Sequence, residues 1–190
     1  MKITLYFGSF NPIHNGHLAI AREVLRKNLS DELWLVISPQ NPLKKEETLW
    51  PEADRFAMVN LAIENEKGIK ASDYEFYLPR PSYTYKTLLL LKRDFPKHTF
   101  RLLIGGDNLE AFDQWRDHQK IIDEFGLIVY PRPGYQNKTL MHHPNVTLLD
   151  APLLNISSTE IRERIQTGQS LSPLVPRSVE IYIQTKGFMQ

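Results

Sequence analysis

The stretch Gly8-Ser9-Phe10-Asn11-Pro12-Ile13-His14-Asn15-Gly16-His17 sets two imidazoles three residues apart at the start of a predicted helix, just behind a glycine turn. Free backbone N–H groups and the helix dipole make such a start an anion site. An imidazole adds a hydrogen bond to a phosphate oxygen, stronger when protonated. Gly16 leaves room for a ligand to approach the backbone. A histidine at a helix start is also commonly a cap. A zinc pair is the third reading, and it needs a third ligand from His118, Asp107 or His143. The patterns Gly-x-Gly-x-x-Gly, Walker A and His-Glu-x-x-His are absent.

A second group is Ile156-Ser157-Ser158-Thr159-Glu160-Ile161-Arg162. Ser157 and Glu160 have capping-box spacing. The hydroxyls and free N–H groups of this helix start form a second anion site, with Arg162 about one turn in.

These groups need elements to carry them. Apolar runs predict strands at Ile3–Phe7, Leu33–Ile37, Ile69–Ser72, Phe100–Ile104, Leu127–Tyr130 and Val146–Leu149. Helical spacing predicts a helix opening near Gly16, with Leu18, Ile20, Ala21, Val24 and Leu25 on its face. A second follows Pro51 and carries Phe56, Val59, Leu61 and Ile63. Others are predicted at Thr84–Phe95, from Asn108, at His118–Glu124, Ser158–Thr167 and Arg177–Lys186. Residues 38–50 and Pro79-Arg80-Pro81 read as loops. The alternation predicts an α/β fold, a doubly wound Rossmann-like parallel sheet with helices on both faces. Residues 1–190 read as a single domain whose C-terminal part, about 157–190, is a small helical appendage. Such sheets bind ligands beyond the carboxyl ends of their strands. The turns at Gly8, Ser38, Gly105 and Pro131 would meet there.

Composition narrows the classes. The 190 residues carry 23 Lys+Arg and 22 Asp+Glu, a net charge of +1. That gives no global field for nucleic acid or an anionic membrane. There is no cysteine, which excludes disulfides, a thiol nucleophile and Cys-bound zinc. No apolar run suits a membrane span or a signal peptide, so a cytoplasmic location is expected. Homo-oligomerisation is left open.

Taken together, the two groups resemble the His-x-Gly-His and Ile-Ser-Ser-Thr-x-Ile-Arg signatures of the adenylyl- and cytidylyltransferase superfamily. The chain resembles the bacterial nicotinate mononucleotide adenylyltransferases over nearly its whole length. Matching stretches include Pro39 to Lys44, Arg55 to Ile63, Pro81 to Thr84, Ile104 to Asp107, Trp115, Pro131 to Gly134 and Leu174 to Pro176. The resemblance implies adenylyl transfer from ATP to nicotinate mononucleotide, with Mg²⁺ accompanying ATP and no tightly bound cofactor.

It also implies roles. His14, His17 and Arg162 would be catalytic. Gly8, Ser9, Phe10, Gly105, Asp107, Ser157, Ser158 and Lys44 would bind ATP, with Gly105 and Asp107 on the ribose. The Gly8–Phe10 backbone would cradle a phosphate of either substrate. Tyr83, Thr84 and Trp115 would receive the pyridine ring. Packing is the competing fate of Trp115, and plain solvation that of Lys44. The chain departs from the family at Phe7, where a glycine is usual. Asn11 and Lys86 each replace an aspartate, and Ser9 a threonine. Lys86 reverses a charge near the expected pyridine pocket. His142 and His143 receive no role.

Overall fold

A computed structural model describes residues 1–39, 49–134, 139–152 and 154–188. Six parallel strands form one sheet in the order β3-β2-β1-β4-β5-β6. They are β1 (Lys2–Gly8), β2 (Glu32–Ile37), β3 (Ile69–Ser72), β4 (Thr99–Gly105), β5 (Leu127–Tyr130) and β6 (Val146–Leu148). The order reverses between β1 and β4, so a crevice opens beyond the carboxyl ends of these two central strands. Both are apolar through their middles because helices cover both faces.

One face carries α1 (Asn15–Arg26), α2 (Glu52–Ile63), α6 (Ser158–Gln166) and α7 (Arg177–Thr185). Their buried side chains join a single cluster that includes Leu18, Val24, Met58, Val59, Ile161, Val179 and Ile183. The C-terminal helices α6 and α7 pack onto this face through Ile161, Ile165, Val179 and Ile183. Asn15 at the start of α1 is tied to them, its N–H donating to the Leu174 carbonyl at 2.9 Å and its amide to Pro173 at 2.6 Å. The other face carries α3 (Thr84–Asp94), α4 (Gly106–Glu110) and α5 (His118–Glu124), packed through Leu88, Leu91, Leu109, Ile121 and Ile122.

Predicted and observed elements agree in type, with shifted ends. The helix expected from Asn108 begins at Gly106. The buried stripe of α2 also differs from expectation. Val59 and Ile63 are buried, but Phe56 and Leu61 are only half-buried. The inward positions are Arg55, Met58, Val59 and Ala62, spaced i, i+3, i+4, i+7, and Arg55 is fully buried. Arg55 is not among the face residues expected from sequence, and a cation is rarely a core residue.

Candidate active site

The turn after β1 begins at Gly8. A Cβ at Gly8 would lie 2.9 Å from the tip of the Phe10 ring. That ring is buried against Tyr6 and His17, with centroids 5.7 and 5.0 Å away. Phe10 has φ +45, a left-handed conformation strained for any residue but glycine. Packing of its ring offsets that strain. The result is a tight turn leading into α1.

His14 is the N-cap of α1, and the two histidines form a capping box with each other. The His17 N–H points at His14 Nδ1 (3.4 Å), and the His14 N–H donates to His17 Nδ1 (3.2 Å). The rings stack 3.6 Å apart. Each Nδ1 therefore accepts a backbone proton, so each neutral ring carries its own proton on Nε2. Burial holds the His14 pKa down to about 4, helped by the positive charge of Arg132. Burial, His14 and Arg132 push His17 well below its ordinary value. The pair is thus two neutral Nε2–H donors rather than imidazolium ions. Capping uses Nδ1 of each ring, so the cap reading of the histidines does not exclude a ligand on Nε2–H.

The room for a ligand that the sequence led us to expect at Gly16 is not there. The His14 ring fills that space, since a Cβ there would lie 2.9 Å from His14 Nδ1.

The second group reaches the same place from the other end of the chain. Ser157 caps α6, its hydroxyl accepting the Glu160 N–H at 3.1 Å. The reciprocal half of the expected box does not form, because the Glu160 carboxylate binds Arg164 at 2.9 Å. Ser158 donates to the Pro12 carbonyl at 2.9 Å, and Arg162 to the Asn11 carbonyl at 2.9 Å. These bonds dock the α6 start onto the His14 loop. The two signatures form one structure across a separation of about 150 residues.

Beyond β4, Gly105 is the N-cap of α4 and Asp107 lies in its first turn. A Cβ on Gly105 would meet the Tyr130 ring at 2.9 Å. Asp107 Oδ1 is buried without a hydrogen-bond partner, with Arg132 Nε 3.9 Å away. An unpartnered buried carboxylate oxygen suits a ligand that donates hydroxyls. Arg132 also lies 5.4 Å over the Tyr130 ring and bonds its hydroxyl at 3.5 Å. Sequence reading gave Arg132 no role. Its position after β5, on the shared rim, was the available signal.

Tyr83 is the N-cap residue before α3, and Thr84 is the first residue of that helix. The Arg116 guanidinium lies 4.9 Å over the Tyr83 ring, which brings the 83–84 and 115–116 segments together. Trp115 is half-buried, and its indole N–H is buried without a partner. Lys86 is exposed. Lys44 lies outside the described residues. Among the described residues, no three His, Cys, Asp or Glu side chains gather to hold a metal ion, so the third ligand required by the zinc reading is not supplied there.

Comparison with known proteins gives a consistent picture. The cytidylyltransferase-like family model matches residues 5–164. A probable nicotinate-nucleotide adenylyltransferase of Cytophaga hutchinsonii is 48% identical over 188 residues, covering 99% of this chain and 98% of that protein. One of Flavobacterium johnsoniae is 45% identical over 190 residues, covering 99% and 98%. Among solved structures, Plasmodium falciparum nicotinic acid mononucleotide adenylyltransferase complexed with NaAD superimposes with a TM-score of 0.82 at 23% identity. It covers 99% of this chain and 97% of that one, and at this identity the match speaks for the fold. Among the described residues, no helix is long and apolar enough to cross a membrane. With both signatures folded into one crevice, and relatives of this identity spanning its whole length, the chain belongs to the cytidylyltransferase-like family and, within it, to the nicotinate-nucleotide adenylyltransferases.

Proposed function

We propose that the protein transfers the adenylyl group of ATP to nicotinate mononucleotide, forming nicotinate adenine dinucleotide and pyrophosphate, a step of NAD biosynthesis. The observation that carries the reading is the pair of neutral Nε2–H donors fixed at the mouth of the β1/β4 crevice. An oxygen of the acceptor 5′-phosphate attacks the α-phosphorus. A P–O bond forms, the P–O bond to pyrophosphate breaks, and the electron pair leaves with pyrophosphate. The monoester is largely ionised at neutral pH, with a second pKa of about 6, so no base is required. The barrier is repulsion between anions and charge growing on the leaving group. Catalysis is then positioning and electrostatic stabilisation.

His14 and His17 supply hydrogen bonds to the phosphates near the α-phosphorus. The Gly8–Phe10 backbone and the α6 start, with Ser157, Ser158 and Arg162, hold the phosphate chain. Gly105 and Asp107 receive the ATP ribose, Asp107 through its unpartnered oxygen. Tyr83, Thr84 and Trp115 receive the pyridine ring and its carboxylate. Arg132, beside Asp107 and the histidines, adds positive charge at the same rim. Mg²⁺ typically keeps several waters and binds through substrate phosphates, which fits a site whose described residues gather no ligand set of their own. When bound with ATP it shares the triphosphate charge.

The test is pyrophosphate release with ATP and Mg²⁺ against three acceptors. Nicotinate mononucleotide should exceed nicotinamide mononucleotide by roughly tenfold or more, because a site built for a carboxylate leaves donors unpaired on the amide. Release with phosphopantetheine alone, or with none of the three, overturns the proposal.

A further inference from the structure

Arg55 is a fully buried cation with no described ion-pair partner. Its guanidinium donates instead to four backbone carbonyls: Ser9 (2.6 Å), Ser38 (2.8 Å), Trp50 (3.0 Å) and Pro39 (3.3 Å). Ser9 lies in the turn after β1, and Ser38 and Pro39 lie in the one after β2. Both backbone groups of Trp50 are held, since its N–H donates to Asn11 Oδ1 at 3.0 Å. The Trp50 ring in turn stacks on Phe188, 4.4 Å away. One planar fork therefore sets the relative positions of three chain segments.

The Ser9 bond matters most. A trans peptide points its C=O and the following N–H in opposite directions. Holding the Ser9 carbonyl on Arg55 therefore aims the Phe10 N–H away from Arg55, where no partner for it is found among the described residues. The same bond braces the residue just before Phe10, whose left-handed φ of +45 persists only if its surroundings over-determine it. The charge has a second effect. Among the described residues this guanidinium hydrogen-bonds to carbonyls, and the Glu52 carboxylate offsets its charge in part; the positive field that remains falls on the turn it supports.

We propose that Arg55 is a positioning residue for anion binding by the Gly8–Phe10 turn. It holds the Phe10 N–H in place for a phosphate and supplies buried positive charge behind it. The inference rests on the proposed use of this turn for phosphate, which sequence similarity alone does not assign to Arg55.

The test compares Arg55→Lys with the unaltered protein by calorimetry, using inorganic pyrophosphate with Mg²⁺, ATP, and adenosine as probes. Lysine keeps the charge and cannot reproduce the planar fork. Pyrophosphate and ATP should bind about tenfold more weakly, the scale of one lost charge-assisted bond, while adenosine changes little. A purely structural role would weaken all three alike, and that result overturns the proposal, as does no change in any. If the unaltered protein binds neither pyrophosphate nor ATP, the proposed function itself fails, which is a separate outcome. Should Arg55→Lys not fold, the guanidinium resonances of Arg55 in the unaltered protein serve instead. Pyrophosphate must shift them and adenosine must not; equal or absent shifts overturn the proposal.

Discussion

Replacing Gly16 by alanine separates stability from function. Gly16 is the second residue of α1, with helical backbone, so alanine meets no conformational penalty there. In a helix alanine is favoured over glycine by up to about 1 kcal/mol. The conflict is local. The new Cβ would lie 2.9 Å from His14 Nδ1 and 3.0 Å from its Cε1, against 3.7 Å from Ile156 Cβ. Ordinary carbon contacts begin near 3.5 Å, so the ring must retreat by about half an ångström. It cannot do so freely, being 5% exposed and stacked on His17 at 3.6 Å. Moving it loosens the bond from the His17 N–H and re-aims Nε2–H of the capping histidine. A misplacement of this size costs roughly tenfold to a hundredfold in kcat. The assay is steady-state pyrophosphate release alongside thermal unfolding. We expect a Tm near that of the unaltered protein and a kcat lower by that factor. In a His14→Ala background, Gly16→Ala should have little further effect, because the group it displaces is gone. Full turnover by Gly16→Ala, or an equal loss in both backgrounds, refutes the reasoning.

Other substitutions probe neighbouring parts of the site. His17→Ala should lower kcat by roughly a hundredfold, the scale of one preorganised donor, in protein that circular dichroism shows to be folded; near-normal turnover removes His17 from the chemistry. Trp115→Ala should raise KM for the pyridine nucleotide far more than KM for ATP, whereas equal changes mean that the indole only packs. The histidine pKa values also make stability depend on pH. His14 titrates at about 4 when folded and near 6.5 when unfolded. Between those values the unfolded chain binds a proton that the folded chain refuses, so stability falls as pH drops through that window. The span corresponds to about 3 kcal/mol at its acid end, and His17 adds to it in the same direction. His14→Asn keeps a capping side chain and removes this part of the slope. Urea unfolding at pH 7 and pH 5 measures the difference, and parallel pH dependences contradict it.

The amino-acid sequence determined the fold class and the reaction chemistry. Strand and helix periods alternate along the chain, and a parallel doubly wound sheet is the compact way to bury them. The spacing of the two signatures left cap, zinc and anion-site readings open; their joint resemblance to the adenylyltransferases is what pointed to the reaction without coordinates. Tertiary structure decided what those residues do to one another. That the two imidazoles cap each other, and so stay neutral with the proton on Nε2, depends on ring positions set by Gly16 and the burial of α1. The docking of Ser158 and Arg162 onto the His14 loop joins segments far apart in sequence. Arg132 enters only because β5 ends beside β4. Arg55 was the least legible residue, since a cation at the first position of an otherwise apolar stripe looks like a solvated side chain. Only the convergence of four carbonyls from separate turns makes burial of its charge tolerable, and no local pattern along the chain encodes that convergence.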